Sequence, residues 1–189
     1  MQIRLGRHED AAAVLAIYGP IVDETPISFE LEVPSIDEMA ARIVDRQPTY
    51  PWLIAEDAGM VLGYAYAGRF AGRAAYDWSV ETSVYVGAPA RGRHVGTALY
   101  GALFALLTAQ GFREAMAGIA LPNKASVTLH ERAGFSPVGV FRAAGWKMGA
   151  WHDVGWWQRT VGVPPPPPGP PTPLDELDPG VLAQAIARR

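Results

Sequence analysis

The chain has 189 residues, enough for one domain with a full core and some length to spare, and its net charge of −3 is made of both signs spread along it. No basic stripe marks a nucleic-acid partner. There is no cysteine, which excludes disulfides, thiolate metal sites and a thiol nucleophile together and fits a cytoplasmic protein.

Ile3-Arg4-Leu5 reads as a short edge strand, and the start lacks the apolar run and cleavage site of an export signal. Residues 9–22 carry Ala12, Ala13, Ala16, Ile17 and Ile21 at helical spacing. Thr25-Pro26-Ile27-Ser28-Phe29 is a loop. Ser35, with Glu38 three residues on, forms a capping box, and the helix it opens must stop before Pro48. Residues 52–55 and 60–67 flank Asp57-Ala58-Gly59 as the arms of a hairpin. Residues 77–86 alternate and form the expected central strand.

Residues 95–110 form a long apolar helix, and 114–120 another strand. The charge-free stretch from His94 through Phe112 is interrupted by Gly96, Gly101 and Gly111, and reads as a buried helix rather than a membrane span. Asn123 is placed to cap a short helix ending at Gly134. Residues 135–143 and 152–161 are two final strands. The order β-α-α-β-β-β-α-β-α-β-β predicts an α/β domain, a central mixed sheet with helices on both faces, over residues 1–163.

Composition changes after Val163. Five consecutive prolines from Pro164, then Pro170, Pro171 and Pro173, favour polyproline II or an extended chain. Residues 164–189 are read as a proline-rich tail with a possible short helix over 178–189. Two states are open for it: a disordered tail, or a semi-rigid arm docked on the body or on a neighbouring subunit.

The segment Arg91-Gly92-Arg93-His94-Val95-Gly96-Thr97 joins the central strand to the long helix. A glycine-containing turn there exposes backbone N–H groups that have no partner inside the helix, at the positive end of its dipole. A phosphate is the natural occupant. The histidines His8, His94, His130 and His152 have no metal-ligand spacing, so no metal is expected.

In this order of elements, Arg91-x-x-His94-x-Gly96 resembles the pyrophosphate motif Gln/Arg-x-x-Gly-x-Gly/Ala of the GNAT superfamily of N-acetyltransferases, with His94 standing where that pattern has its first glycine. Tyr76-Asp77-Trp78-Ser79-Val80-Glu81-Thr82-Ser83-Val84-Tyr85-Val86 is similar to the matching strand of the phosphinothricin acetyltransferases within it. So are Tyr50-Pro51-Trp52-Leu53, Leu121-Pro122-Asn123, Leu129-His130-Glu131 and Trp151-His152-Asp153-Val154-Gly155. The resemblance spans roughly residues 2 to 163.

It implies transfer of acetyl from acetyl-CoA to the α-amino group of phosphinothricin, methionine sulfoximine, methionine sulfone or a related small amino acid. It also implies a homodimer without a metal. Glu81 becomes the general base, acting through water, and His130 the general acid or proton shuttle, or else a contact to CoA. Val84, Tyr85 and Val86 would take pantetheine. Arg91, Gly92, Arg93, His94, Val95, Gly96 and Thr97 would take pyrophosphate, with Asn123 and Ser126 also on the cofactor side. A bulge at residues 82–84 would open a slot for the pantetheine amides. Arg73 and Tyr76 would hold the substrate's anionic end, with Phe29 and Trp78 as walls. Arg142 and Lys147 lie in a hairpin that, in such enzymes, can approach the partner's site. Two other functions remain open: acetylation of peptide or protein N-termini, and a CoA-binding module without catalysis.

Overall fold

The computed structural model describes residues 1–187. Its strands are β1 (Gln2–Leu5), β2 (Trp52–Asp57), β3 (Met60–Arg69), β4 (Ser79–Val86), β5 (Glu114–Leu121), β6 (Ser136–Lys147) and β7 (Ala150–Thr160). Its helices are α1 (Ala11–Glu24), α2 (Ile36–Arg46), α3 (Val95–Gln110), α4 (Lys124–Arg132) and α5 (Pro179–Ala187). One seven-stranded sheet runs β1-β2-β3-β4-β5-β7-β6, so β4 is central as expected. Every neighbouring pair is antiparallel except β4 and β5.

The run Trp52-Leu53-Ile54-Ala55 is apolar throughout because both of its faces are covered. Trp52 and Ile54 pack with Val14, Met39 and Ile43 of α1 and α2, while Leu53 and Ala55 pack with Leu99 and Leu103 of α3. The β2–β3 hairpin closes on Ala58 and Gly59, with φ of 48° and 79°, the two positive angles of a tight primed turn. The capping box is formed: Glu38 N–H donates to Ser35 Oγ (3.2 Å) and Ser35 N–H to Glu38 Oε2 (2.7 Å).

One expectation needs adjustment, and one open alternative is decided. The last hairpin is longer than periodicity indicated, because β6 continues to Lys147 through register shifts at Pro137/Gly139 and Phe141/Gly145 that break the alternation. And the tail is an arm docked on its own body. Trp78 Nε1 donates to Gly169 O (2.7 Å), Thr172 N–H to Gln110 O (2.7 Å), and Gln110 Nε2 to Thr172 O (2.9 Å). Leu174 is 4% exposed, and Leu177, Leu182 and Ile186 join the α3 core. The prolines remove donors and limit backbone freedom, so the segment forms no strand yet lies down at modest entropic cost. Arg188 and Arg189, where the expected helix was to end, lie outside the described residues.

Leu174→Ala tests this docking. It should destabilise the protein by about 2–5 kcal/mol, as truncation of a buried leucine does. Chemical denaturation would read it, and an unchanged midpoint would show the arm contributes nothing.

Candidate functional site

The parallel pair β4–β5 is joined only at Ser79↔Glu114, Val80↔Ala115 and Glu81↔Met116. Beyond Glu81 the strands part. β4 continues against β3 as far as Val86↔Gly63, and β5 continues against β7 as far as Leu121↔Asp153. The opening is therefore a split between strands and not the bulge expected at residues 82–84, because the β3–β4 register runs unbroken through that region. Thr82 Oγ1 donates to Met116 O (3.2 Å) at the fork and occupies one carbonyl where the ladder stops.

A groove of about 420 Å³ runs over the split to the start of α3. Of the expected cofactor residues, Val84, Tyr85, Val86, Arg91, Gly92, His94, Val95, Gly96, Thr97, Asn123 and Ser126 all line it. Gly92 (φ 75°) and His94 (φ 60°, ψ 14°) are both left-handed, so the histidine adopts the backbone conformation a glycine would. A left-handed non-glycine residue costs roughly 1–2 kcal/mol. Its carbonyl still starts the helix by accepting from Ala98 N–H (3.0 Å). The first turn of α3 has no acidic residue to cancel the dipole. At Gly96 a Cβ would stand 2.9 Å from Leu129, so glycine lets α4 come close to the cradle.

Arg93 differs in its side chain. Its guanidinium turns to Asp57 of the β2–β3 turn (3.7 Å) and does not line the groove. Sequence reasoning missed Arg132, Ala125 and Leu129 of α4, and Ile21 and Ile27 on the α1 side. With Asn123 capping α4 through Ser126 N–H (3.1 Å), positions 125, 129 and 132 share one helical face, a usable signal. The two isoleucines arrive by long-range packing that no local pattern announces.

Glu81 stands at the base of the split, half-buried. Val80 belongs to the core under α3 and Tyr85 packs against the cluster under α1 and α2. Alternation therefore puts Glu81, with Tyr85, on the α1–α2 face. Among the described residues its side chain makes no hydrogen bond or ion pair. Burial pushes its carboxyl above the ordinary range, and the Arg46 guanidinium pulls it partly back. Arg46 itself lies over the Tyr66 ring (4.8 Å) and donates to Ala67 O (3.3 Å).

His130 is placed otherwise than expected. It is 5% exposed and does not line the groove. Nδ1 lies 2.8 Å from Ser126 O, so it carries the proton, and Nε2 accepts from Tyr100 O–H (2.7 Å). Burial lowers its pKa against the opposing hydrogen bond to Ser126. With both nitrogens engaged inside the fold, the imidazole ties α4 to α3.

Of the expected substrate residues, Arg73 and Tyr76 lie exposed on the β3–β4 connection, and among the described residues the Arg73 side chain has no ion pair or hydrogen bond. Phe29 lies against Gly145 and near His152 (6.3 Å between rings), outside the groove. Trp78 is engaged otherwise than expected: its indole N–H donates to Gly169 O of the C-terminal arm just before β4. Lys147 is buried, and Arg142 pairs with Asp153 (2.6 Å). Among the described residues no group of three or more His, Cys, Asp or Glu could hold a metal, and no helix is long and apolar enough to cross a membrane.

The model of the acetyltransferase (GNAT) domain family matches residues 3–156. The chain is 42% identical over 166 residues to a phosphinothricin N-acetyltransferase of Streptomyces viridochromogenes, covering 88% of this chain and 91% of that protein. It is 37% identical over 154 residues to the L-methionine sulfoximine/L-methionine sulfone acetyltransferase of Pseudomonas aeruginosa, covering 80% and 90%. The crystal structure of a phosphinothricin acetyltransferase from Sinorhizobium meliloti in complex with AcCoA superposes with a TM-score of 0.81 at 37% identity, over 85% of this chain and 88% of that one.

Tyr100→Phe tests the role of His130. Leaving Nε2 without its donor should cost about 1–3 kcal/mol of stability, while the affinity for acetyl-CoA stays within about twofold, worth ~0.4 kcal/mol. Denaturation and calorimetry read the two. A large loss of affinity without loss of stability would return His130 to the ligand side.

Proposed function

The chain belongs to the acetyltransferase (GNAT) family, and on that premise we propose that it moves the acetyl group of acetyl-CoA to the α-amino group of phosphinothricin or a related small amino acid such as methionine sulfoximine or sulfone. The observation that carries this reading is the unpaired, half-buried Glu81 at the root of the β4–β5 split, beside a groove that ends on free helix amides. The substrate class rests on the relatives that carry those activities.

At neutral pH an amino acid's amine is mostly protonated and cannot attack. Glu81, its proton affinity raised by burial, takes that proton through a water. The nitrogen then attacks the thioester carbonyl. The oxyanion meets main-chain N–H groups of residues 82–86 that the split leaves without ladder partners. The nitrogen, positively charged after attack, gives up its second proton to solvent; the C–S bond breaks and the CoA thiolate leaves, taking a proton from solvent. Without cysteine no thiol carries the acetyl group, so both substrates react in one ternary complex. Exposed Arg73, with Tyr76 near it, is the proposed partner of the substrate's carboxylate or phosphinate, a group a peptide N-terminus lacks.

We also propose a homodimer formed through β6. This strand is the sheet edge; its Val138, Phe141 and Trp146, and Trp151 paired beside it on β7, are 63%, 63%, 56% and 63% exposed. An unpaired apolar edge of this kind is a pairing site. Equilibrium sedimentation should give twice the chain mass, and Phe141→Lys should give the monomer. A wild-type monomer at micromolar concentration would refute the proposal.

A thiol-release assay with acetyl-CoA and a panel of these amines tests the function. Glu81→Gln should lose about 10²–10⁴-fold in turnover, the range for a general base, with acetyl-CoA binding intact. Because the folded pKa of Glu81 is raised, its favourable contribution to stability is present below the ordinary carboxylate range and lost as pH rises through the raised value. Glu81→Gln should therefore melt higher than wild type at neutral pH and equally below about pH 4, under the ordinary carboxylate range. Near-normal turnover in the variant would remove Glu81 from the base role.

A further inference from the structure

Lys147 is a charged residue that the reaction above does not use. It ends β6, next to the hairpin turn at Met148 and Gly149, and is 6% exposed. Its Nζ donates to Val22 O (2.6 Å) and Ser28 O (2.8 Å). No carboxylate lies within ion-pair distance among the described residues. Val22 sits in the last turn of α1, where carbonyls have no partner inside the helix. Ser28 belongs to the connection from α1 to α2. One ammonium therefore joins the end of α1, the loop that follows it and the β6–β7 hairpin, elements about 120 residues apart in sequence.

The loop so held is a wall of the site. Ile21 at the end of α1 and Ile27 of the loop line the groove together with Val84–Val86, and the Phe29 ring closes against Gly145 of β6 and beside His152 of β7. His152 in turn bonds the Lys147 carbonyl through Nε2 (2.9 Å). Ser28 is fixed a second time, its Oγ 2.7 Å from Tyr18 Oη, and the neighbouring Glu30 is held by Arg42 (2.7 Å). Glu81 projects to the same face of β4 as Tyr85, whose ring meets that of Tyr18 (5.2 Å), the residue that holds Ser28, so this loop borders the face on which Glu81 stands. The phosphate cradle lies on α3, and Lys147 touches none of it.

We propose that Lys147 is a positioning residue for the amine: by tying Val22 and Ser28 to the hairpin, it fixes the loop that walls the acceptor side of Glu81. The proposal rests on the acetyl-transfer reading given above. A buried ammonium satisfied by main-chain carbonyls is costly to unpair, and its loss leaves two carbonyls without a donor. The loop then samples other positions, and the acceptor loses its orientation before the acyl carrier loses its seat.

Lys147→Met, which keeps the side chain's length and removes its donors, tests this in the full-length protein. The expected result is an amine KM raised about tenfold or more, ~1.4 kcal/mol, with a smaller change in the acetyl-CoA Kd, since Ile21 and Ile27 also border the cofactor groove. Amide exchange should quicken in residues 22–30 and remain unchanged in 95–110. Lys147→Gln, which still carries a donor, should recover part of the lost affinity. An unchanged amine KM, or an acetyl-CoA Kd that rises as much as the KM, overturns the proposal. If Lys147→Met does not fold, Phe29→Ala on the same wall must raise the amine KM alone, and failure to do so also overturns it. If the wild type acetylates none of the amines, the acetyl-transfer reading falls separately, and exchange in residues 22–30 decides whether Lys147 holds the loop.

Discussion

Three residue pairs hold β4 to β5, and the rest of the site follows from where that ladder stops. Each strand keeps its outer neighbour, β4 with β3 and β5 with β7, so the sheet stays intact on either side of the fork. Each ladder hydrogen bond given up costs roughly 0.5–1.5 kcal/mol net, and unpaired main-chain groups inside a protein are rarely left without a purpose. Thr82 covers one of them by bonding the Met116 carbonyl. The remaining groups face a gap whose width is set by the parting of the strands, and a ligand rich in amides can take the place of the missing ladder.

The two ends of that gap differ in chemistry for reasons already present in the chain. At the outer end, β4 passes through a turn with two left-handed residues into α3, and the helix offers bare N–H groups to an anion. At the inner end, the strand's alternation turns Glu81 to the face roofed by α1, the following loop and the last hairpin. Partial burial without a close partner keeps this carboxyl basic, which an ion pair would prevent. Lys147 fixes the roof without approaching the carboxylate. Charge is thus distributed so that Glu81 is left unpaired while its surroundings are held rigid.

The fold could be read largely from the sequence because its cues are local. Ser35 and Glu38, the Asp57-Ala58-Gly59 turn, the apolar period of α3 and the Asn123 cap each specify an element by short-range physics. The cradle was legible for the same reason. What escaped depends on partners distant in sequence. The indole of Trp78 is held by a carbonyl 91 residues away. Lys147 looks like an ordinary hairpin lysine until α1 is packed beneath it. His130 occupies a position whose family role suggested an acid, but Tyr100, thirty residues earlier, takes its second nitrogen. The proline run suggested an unattached tail as readily as a docked arm, since its stiffness suits both and only the apolar face of α3 decides between them.

A crystal structure of the protein with CoA and an amino-acid acceptor would test the central claim most directly. The diphosphate should lie on the amides of residues 92–97, the pantetheine arm against Val84–Val86 between the parted strands, and the acceptor nitrogen on the Glu81 side of the sheet. Strands β4 and β5 paired through to Val86 with CoA bound elsewhere, or an acceptor on the α3 face remote from Glu81, would contradict it.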